Sequence, residues 1–289
     1  MLKSLYSGVT GMKNIQTKMD VISNNIANVN TTAFKTGRVR FEDMLSQTNA
    51  SAQAGINAQQ VGLGVQVGSI DTVMTGGSLQ STGRALDFGI ENGDSSFFTV
   101  TDGTNTFYTR DGGLYADPNG NLVTSSGLQV QGYSQGAPAA NDAAFVPGSL
   151  GTTMEPINIP QTIPNPDGGD ALELQSYSVD NDGFIVGSYS GGKSMVLGRV
   201  GLTSFSNPDG LQKNGGNLYS ASANSGDPVA GNPGDAGYGS VRSGFLEMSN
   251  VDLANEFTEM IVTSRSYQAN SRSITTSDTM LEELINLKR

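Results

Sequence analysis

The side chains in this sequence best suited to chemistry are carboxylates, and they are short of partners. Asp87 and Glu91, four residues apart, could be offered as the acid and nucleophile of a glycosidase. No Trp occurs anywhere in the 289 residues to stack on a sugar ring, so the pair reads as solvated carboxylates of a strand. Asp180-Asn181-Asp182-Gly183 has the opening of a calcium loop. The later ligands and the closing bidentate Glu are missing, and the run reads as a hairpin turn. Gly62-Leu63-Gly64 with Gly68 lacks both the spacing and the strand–helix setting of a dinucleotide fingerprint, and reads as a flexible turn. The chain contains no His and no Cys, hence no imidazole base, no thiol nucleophile and none of the usual zinc ligands. Disulfides are excluded for the same reason. No catalytic constellation survives, and the chain is read as not an enzyme, with no cofactor and no metal.

Charge narrows the partners. Acidic residues number 27 against 16 basic ones, a net of −11, so bulk attraction to a nucleic-acid backbone is not expected. The imbalance is uneven: residues 1–40 carry a net +5, whereas residues 247–289 carry a net −3. No run approaches the roughly 18 consecutive apolar residues of a spanning helix, so membrane insertion is not expected. The opening MLKSLYSGVTGMK lacks an apolar core and a small-residue cleavage site, so no Sec signal peptide is expected.

Two elements stand apart as organisers of the chain. Near the start, Leu2, Leu5, Val9, Met12, Ile15, Met19, Ile22, Ile26 and Val29 recur in steps of three and four. Near the end, Leu253, Phe257, Met260, Ile261, Tyr267, Ile274, Leu281, Leu284 and Leu287 do the same. This spacing predicts two amphipathic helices with a seam suited to coiled-coil packing, roughly 40 and 55 Å long. Ser249 followed three residues later by Asp252 predicts a capping box before the second helix. Amphipathic helices usually pack on the core of their own domain. Here the middle offers little helical scaffold, so each stripe needs the opposite terminus or another copy of the chain. The opposite charges favour a terminus-to-terminus pairing. Polar residues on the seams, Gln16, Ser23, Ser264 and Ser271, would leave a lone pair marginal.

The middle has another grammar. All 10 Pro and most of the 38 Gly lie between the two helices. Short apolar runs at 65–67, 86–90, 97–100, 107–108, 128–130, 177–179, 184–186, 195–200 and 202–205 alternate with Asn-Gly, Asp-Gly and Gly-Gly turns. That is an antiparallel β pattern. The turns around Asp117-Pro118-Asn119-Gly120 and Asn181-Asp182-Gly183 have matching surroundings, a weak internal echo. Residues 46–60 are polar and aperiodic and read as an extended linker. The expected fold is α+β: long terminal helices pairing as a coiled-coil-like core, with a central all-β antiparallel domain and extended connectors. The expected division is an N-terminal helix in 1–34, a connector at 35–75, a β domain at 76–225 with a loop-rich insertion at 134–170, a second connector at 226–249, and a C-terminal helix in 250–289.

Several segments resemble one family. NNIANVNTTAFK at 24–35 is similar to the N-terminal signature of the flagellar rod and hook proteins, and residues 244–289 resemble that family's C-terminal region throughout. FYTRDGGLYADPNGNLVTSSGLQVQGY at 107–133 and NPDGLQKNGGNLY at 207–219 look like parts of its β domain. Within the family, the Tyr-Thr-Arg-Asp-Gly and Gly-Leu-Gln-Val-Gln-Gly-Tyr segments look hook-like, and a distal rod subunit is the alternative. The resemblance implies a self-polymerising axial subunit whose paired terminal helices form the inner tube. It implies partners in distal rod, hook cap and hook–filament junction proteins, and export by the flagellar type III apparatus. Phe41-Glu42-Asp43-Met44-Leu45 fits the family's export-gate element, with Phe41 and Leu45 as its candidate residues. Ala33 stands where the family commonly has Gly, so a left-handed backbone there would be strained or absent. A secreted β-rich adhesin or carbohydrate-active protein is the reading from another class; it leaves two helical termini of opposite charge unexplained.

Overall fold

The computed structural model describes residues 2–51, 55, 57–134, 151, 153–165 and 171–287. They are mostly β, with one long helix near each end. The chain divides into two compact units: Met1–Val29, Lys35–Val73 and Val251–Arg289 form the first, Asn30–Phe34 and Met74–Asn250 the second.

The first unit is built on α1 (Leu2–Ala27) and α2 (Leu253–Asn286). Neither contains Pro, and at 1.5 Å per residue they run about 39 and 51 Å. The expected capping box is not what starts α2. Asp252 itself is the N-cap, its carboxylate accepting from the N–H groups of Ala254 (2.9 Å) and Asn255 (3.4 Å). Hydroxyls along α2 are satisfied by carbonyls one turn back, as at Thr258, Ser266 and Ser277, so a polar helix costs few lost hydrogen bonds.

The same unit carries two antiparallel ribbons where connector and linker were expected. Strand Gly37–Asp43 pairs with Val65–Thr72, and Ser46–Ala50 with Gln59–Gly62. The Met44 N–H donates to Gly64 O at 2.9 Å where one ribbon runs into the next. The outer ribbon is exposed on every residue, so no face is selected to be apolar and no period of two is written in its sequence. That is why 46–60 reads as a linker.

The second unit is the β body. Its central path among the described residues runs Thr162–Ile163, Leu172–Val179, Phe184–Tyr189, Lys193–Val200, Gln129–Ser134, Ser96–Thr101, Thr106–Thr109, Leu218–Ser220, Gln212–Gly215. All nine apolar runs read from the sequence overlap or lie within strands of the structure. Every residue of Ser96–Thr101 is buried, as in a strand covered on both faces, with Thr99 satisfied by Thr203 Oγ1 at 2.6 Å. The two echoing turns share one geometry. In each, an Asp carbonyl accepts from a Gly N–H three residues on (Asp117 from Gly120, Asp180 from Gly183, both 2.9 Å). Both glycines have positive φ, 87° and 78°.

The core holds Phe88, Phe98, Val100, Leu114, Leu122, Ile185 and Leu202 among others, all essentially without solvent exposure. A smaller cluster joins Phe97, Tyr108, Phe205 and Tyr219, with Tyr108 edge-on to Phe205 at 4.7 Å between centroids. Three expectations are corrected here. Ile157, Ile159 and Ile163 are core residues, so the described part of 134–170 is built into the body and is not a peripheral loop; residues 135–150, 152 and 166–170 lie outside the described ones. Asp87 is not a solvated strand carboxylate. It is buried, accepting from Thr82 Oγ1 at 2.6 Å and pairing with Arg84 at 3.1 Å. Residues 226–249, expected as a connector, supply three strands: Val229–Gly231, Ser240–Ser243 and Phe245–Glu247 pair with Leu202–Ser204, Phe88–Glu91 and Leu79–Ser81.

Candidate assembly interface

α1 and α2 pack antiparallel: Ser4 Oγ lies 3.5 Å from Ser277 Oγ at one end, and Asn25 Nδ2 donates to Glu256 Oε1 at 3.1 Å at the other. The row of α1 that faces α2 is Ser4, Gly8, Gly11, Lys18, Ile22 and Asn25, in steps that fit a 3.5-residue repeat. The α2 row is Glu256, Met260, Thr263, Asn270, Ile274, Ser277 and Leu281 on the same repeat. Small and polar residues dominate the contact. A Cβ on Gly8 would stand 3.0 Å from Ile274 Cγ1, and one on Gly11 would stand 2.9 Å from Asn270 Nδ2. Those two glycines set how closely the helices approach.

The predicted seam residues divide. On α1, Ile22 is buried at 4% exposure; Leu5, Met12, Met19, Ile26 and Val29 are half-buried, and Val9 is exposed. The side chain of Leu2 lies outside the described ones. On α2, Met260, Ile274 and Leu281 are half-buried on the row toward α1, with the more exposed Tyr267 on the same repeat. Leu253, Phe257, Ile261 and Leu284 face solvent, Ile261 at 63%. Val262, Ile285 and Leu287 are exposed with them. The sequence stripe therefore merges two surfaces: one that the chain covers itself, and one that it leaves open.

Charge closes the end of the pair where α2 begins. Lys18 Nζ forms a salt bridge with Glu259. Asn25, almost fully buried, also donates to Gly37 O (2.9 Å) and accepts from the Gly37 N–H (3.0 Å), tying α1 to the ribbon as well as to α2. Burial, chiefly, raises the pKa of Glu256, and the nearby Glu259 and Asp252 charges push the same way against Asn25 and Lys18. Phe41 and Leu45 are both solvent-facing, Leu45 at 87% exposure. Phe41 lines an open groove of about 380 Å³ with Ile15, Val65 and Asn270.

Within the β body, Asn30–Phe34 is pinned at several points. The Ala33 N–H donates to Glu247 O at 2.8 Å, Asn217 Nδ2 donates to Thr32 O at 2.9 Å, and Lys213 Nζ sits 5.1 Å from the Phe34 ring centroid. Ala33 has φ 57°, so the left-handed turn is present without the glycine. The Glu247 side chain accepts from the Gly77 N–H (2.9 Å) and pairs with Arg110 (3.2 Å). Arg110, 1% exposed, also donates to Gly93 O and lies 5.2 Å from the Phe97 ring centroid. Burial lowers the Arg110 pKa and pushes that of adjacent Tyr219 up to about 12. Sequence reasoning missed this ion pair and the two seam glycines. Arg110 and Glu247 do fall inside the segments that carry the family resemblance, but nothing in their spacing says that they meet. Among the described residues, no three His, Cys, Asp or Glu side chains converge to hold a metal ion, and no helix is long and apolar enough to cross a membrane.

Paired terminal helices in one unit and a β body in the other, with apolar helical surface left open, fit a subunit of a larger structural assembly. Residues 5–35 match the family description "Flagella basal body rod protein", residues 92–187 "Flagellar hook protein FlgE/F/G D1 domain", and residues 242–287 "Flagellar basal body rod FlgEFG protein C-terminal". The flagellar basal-body rod protein FlgG of Bacillus subtilis is 47% identical over 296 aligned positions, covering all of both chains. The flagellar hook proteins FlgE of Borreliella burgdorferi and Treponema pallidum are 31% and 30% identical over 443 and 465 positions, again covering all of both chains. The chain belongs to the flagellar rod and hook axial protein family, and is a structural subunit of the bacterial flagellum.

Proposed function

We propose that the chain polymerises with copies of itself as a rod-type axial subunit, acting structurally and not as a catalyst. The observation that carries this is the division of α2. Its row toward α1 includes Thr263, Asn270 and Ser277, whereas Leu253, Phe257 and Ile261 stand exposed. Burying the exposed part of those three against a neighbour would contribute about 1 kcal/mol each, repeated at every subunit. The pair then acts as one coiled-coil-like element of a tube wall, with the outward apolar residues reaching the next copies.

Length favours rod over hook. The rod relative aligns over 296 positions with this chain of 289 residues, whereas the hook relatives need 443 and 465. Hook remains the second reading, supported by those same relatives and by the hook-like segments around 107–133. Junction partners follow from the position adopted: neighbouring rod and hook proteins for a rod subunit, hook cap and hook–filament junction proteins for a hook subunit. On either reading the subunit leaves the cell through the flagellar type III apparatus, with Phe41 and Leu45 accessible to an export gate.

Purified protein concentrated until it pellets, viewed by negative stain, tests polymerisation; ordered tubes are expected. Immunogold labelling of isolated hook–basal bodies tests position, with label expected on the rod. Label confined to the curved hook would overturn the rod reading and leave the family assignment intact. A protein that stays monomeric at every concentration would overturn self-assembly.

A further inference from the structure

At the end of the helix pair where α2 begins, carboxylates outnumber the cations around them. Asp252 caps α2, and Glu256 and Glu259 sit in its first two turns. Facing them are Lys18 from α1, salt-bridged to Glu259, and Arg38 from strand Gly37–Asp43, across a cavity of about 360 Å³. Glu256 takes a hydrogen bond from a neutral amide, Asn25, so its charge has no direct cationic partner in the contact that closes the pair. Like charges three residues apart on a helix repel, and here Glu256 stands three from Glu259. The helix N-terminus favours negative charge, but Asp252 already occupies the cap.

We propose that Glu256 is a proton-operated clasp between α1 and α2, loose when ionised and tight when it has taken one proton from solvent. A protonated Glu256 keeps a carbonyl oxygen for Asn25 and gains an O–H donor, and it no longer repels Glu259 and Asp252. The Lys18–Glu259 bridge stays charged. The sign follows from the direction of the shift. A carboxyl whose folded pKa lies above its unfolded value, about 4.3, contributes stability that is fully present below that value and is lost as pH rises through the folded pKa. The paired state needed for assembly is therefore favoured by mild acid. This regulation rests on the helix pair being the assembly element, but the clasp itself can be read in the dilute monomer.

The test is hydrogen exchange on the full-length monomer between about pH 4.5 and 7.5, corrected for intrinsic rates, beside carboxyl-carbon NMR of Glu256. Protection of amides in 256–264 should rise on acidification and fall again as pH rises through the Glu256 titration. Glu256→Gln should hold the acid-level protection at every pH. Glu259→Gln should bring the Glu256 titration down towards its ordinary value. An unshifted Glu256 titration in the wild type, or an unchanged pH slope in Glu256→Gln, would overturn the clasp. If the clasp titrates as expected yet filament yield ignores both pH and Glu256→Gln, the clasp stands and its link to assembly falls.

Discussion

Replacing Glu247 by Gln should be among the most damaging single changes available in the β body, although it only exchanges one carboxylate oxygen for an NH₂ group. The side chain is almost wholly buried and does two things at once: one oxygen accepts from the Gly77 N–H at 2.9 Å, and the other meets the Arg110 guanidinium at 3.2 Å. A glutamine can keep the first contact only by turning its NH₂ towards Arg110, donor against donor. Arg110 cannot shed its proton, and at 1% exposure water does not reach it. Breaking one side of a buried pair costs about 3–5 kcal/mol. For a domain of this size, each kcal/mol moves Tm by roughly 2–4 °C, which predicts a fall of about 6–20 °C. The assay is thermal and urea unfolding of the full chain, followed by circular dichroism because there is no Trp to report. A second substitution decides the cause. Arg110→Met alone should also destabilise, since the Gly93 carbonyl and Glu247 lose a donor. Added to Glu247→Gln, it should recover part of the loss, because the unpaired cation is gone. Strictly additive losses in the double variant, or a single-variant cost below about 1 kcal/mol, would show that the pair is not what stabilises this region.

Other outcomes follow from the helix pair and the pinned loop. Gly8→Leu should separate the helices, because even a Cβ there meets Ile274 at 3.0 Å; hydrogen exchange in 263–281 should speed while the β-body melting transition is unchanged. Ile261→Asp should leave monomer stability within about 0.5 kcal/mol, since the side chain is exposed, yet abolish sedimentable filaments. Ile22→Asp, on the buried seam, should by contrast weaken the monomer's own helix pair, and equal behaviour of the two variants would refute the division of α2 into two surfaces. Ala33→Val should cost about 1–3 kcal/mol in urea unfolding, because a β-branched side chain is forced into a buried left-handed position at φ 57°.

The sequence made the element types legible where a single period dominated. Ser96–Thr101 carries apolar side chains on both faces, Phe97 on one and Phe98 and Val100 on the other, and is buried on both, and α2 shows its helical repeat over 34 residues. Legibility failed where polar residues carry the structure. The outer ribbon has no buried side, so its pairing leaves no alternation to read. The α1–α2 contact runs through Gly8, Gly11, Asn270 and Ser277, residues that hydrophobic periodicity discards. Leu253 and Ile261 were legible as apolar and helical, but which partner they await is a property of the face that α1 leaves uncovered. Asp87 looked like surface because its neighbours in sequence say nothing of Thr82 and Arg84 folding over it.

The unequal chemistry of the two α2 surfaces has a consequence for the order of events. A helix pair joined through Gly, Ser, Thr and Asn gains little apolar burial, so its net stability in one chain is small and its contact can reopen. The exposed row gains only when a second copy arrives. Thr263 Oγ1 adds to the asymmetry, buried with no hydrogen-bond partner among the described residues. A subunit that closed its helices strongly by itself would reach the growing end already ordered, so the entropy cost of ordering them would fall on the monomer and not on the step of addition. A weak internal seam beside a strong external one places most of the favourable free energy at the step of addition. Strengthening the internal seam, for instance by Thr263→Val, should therefore stabilise the isolated monomer and raise filament yield only until the helix pair is fully closed.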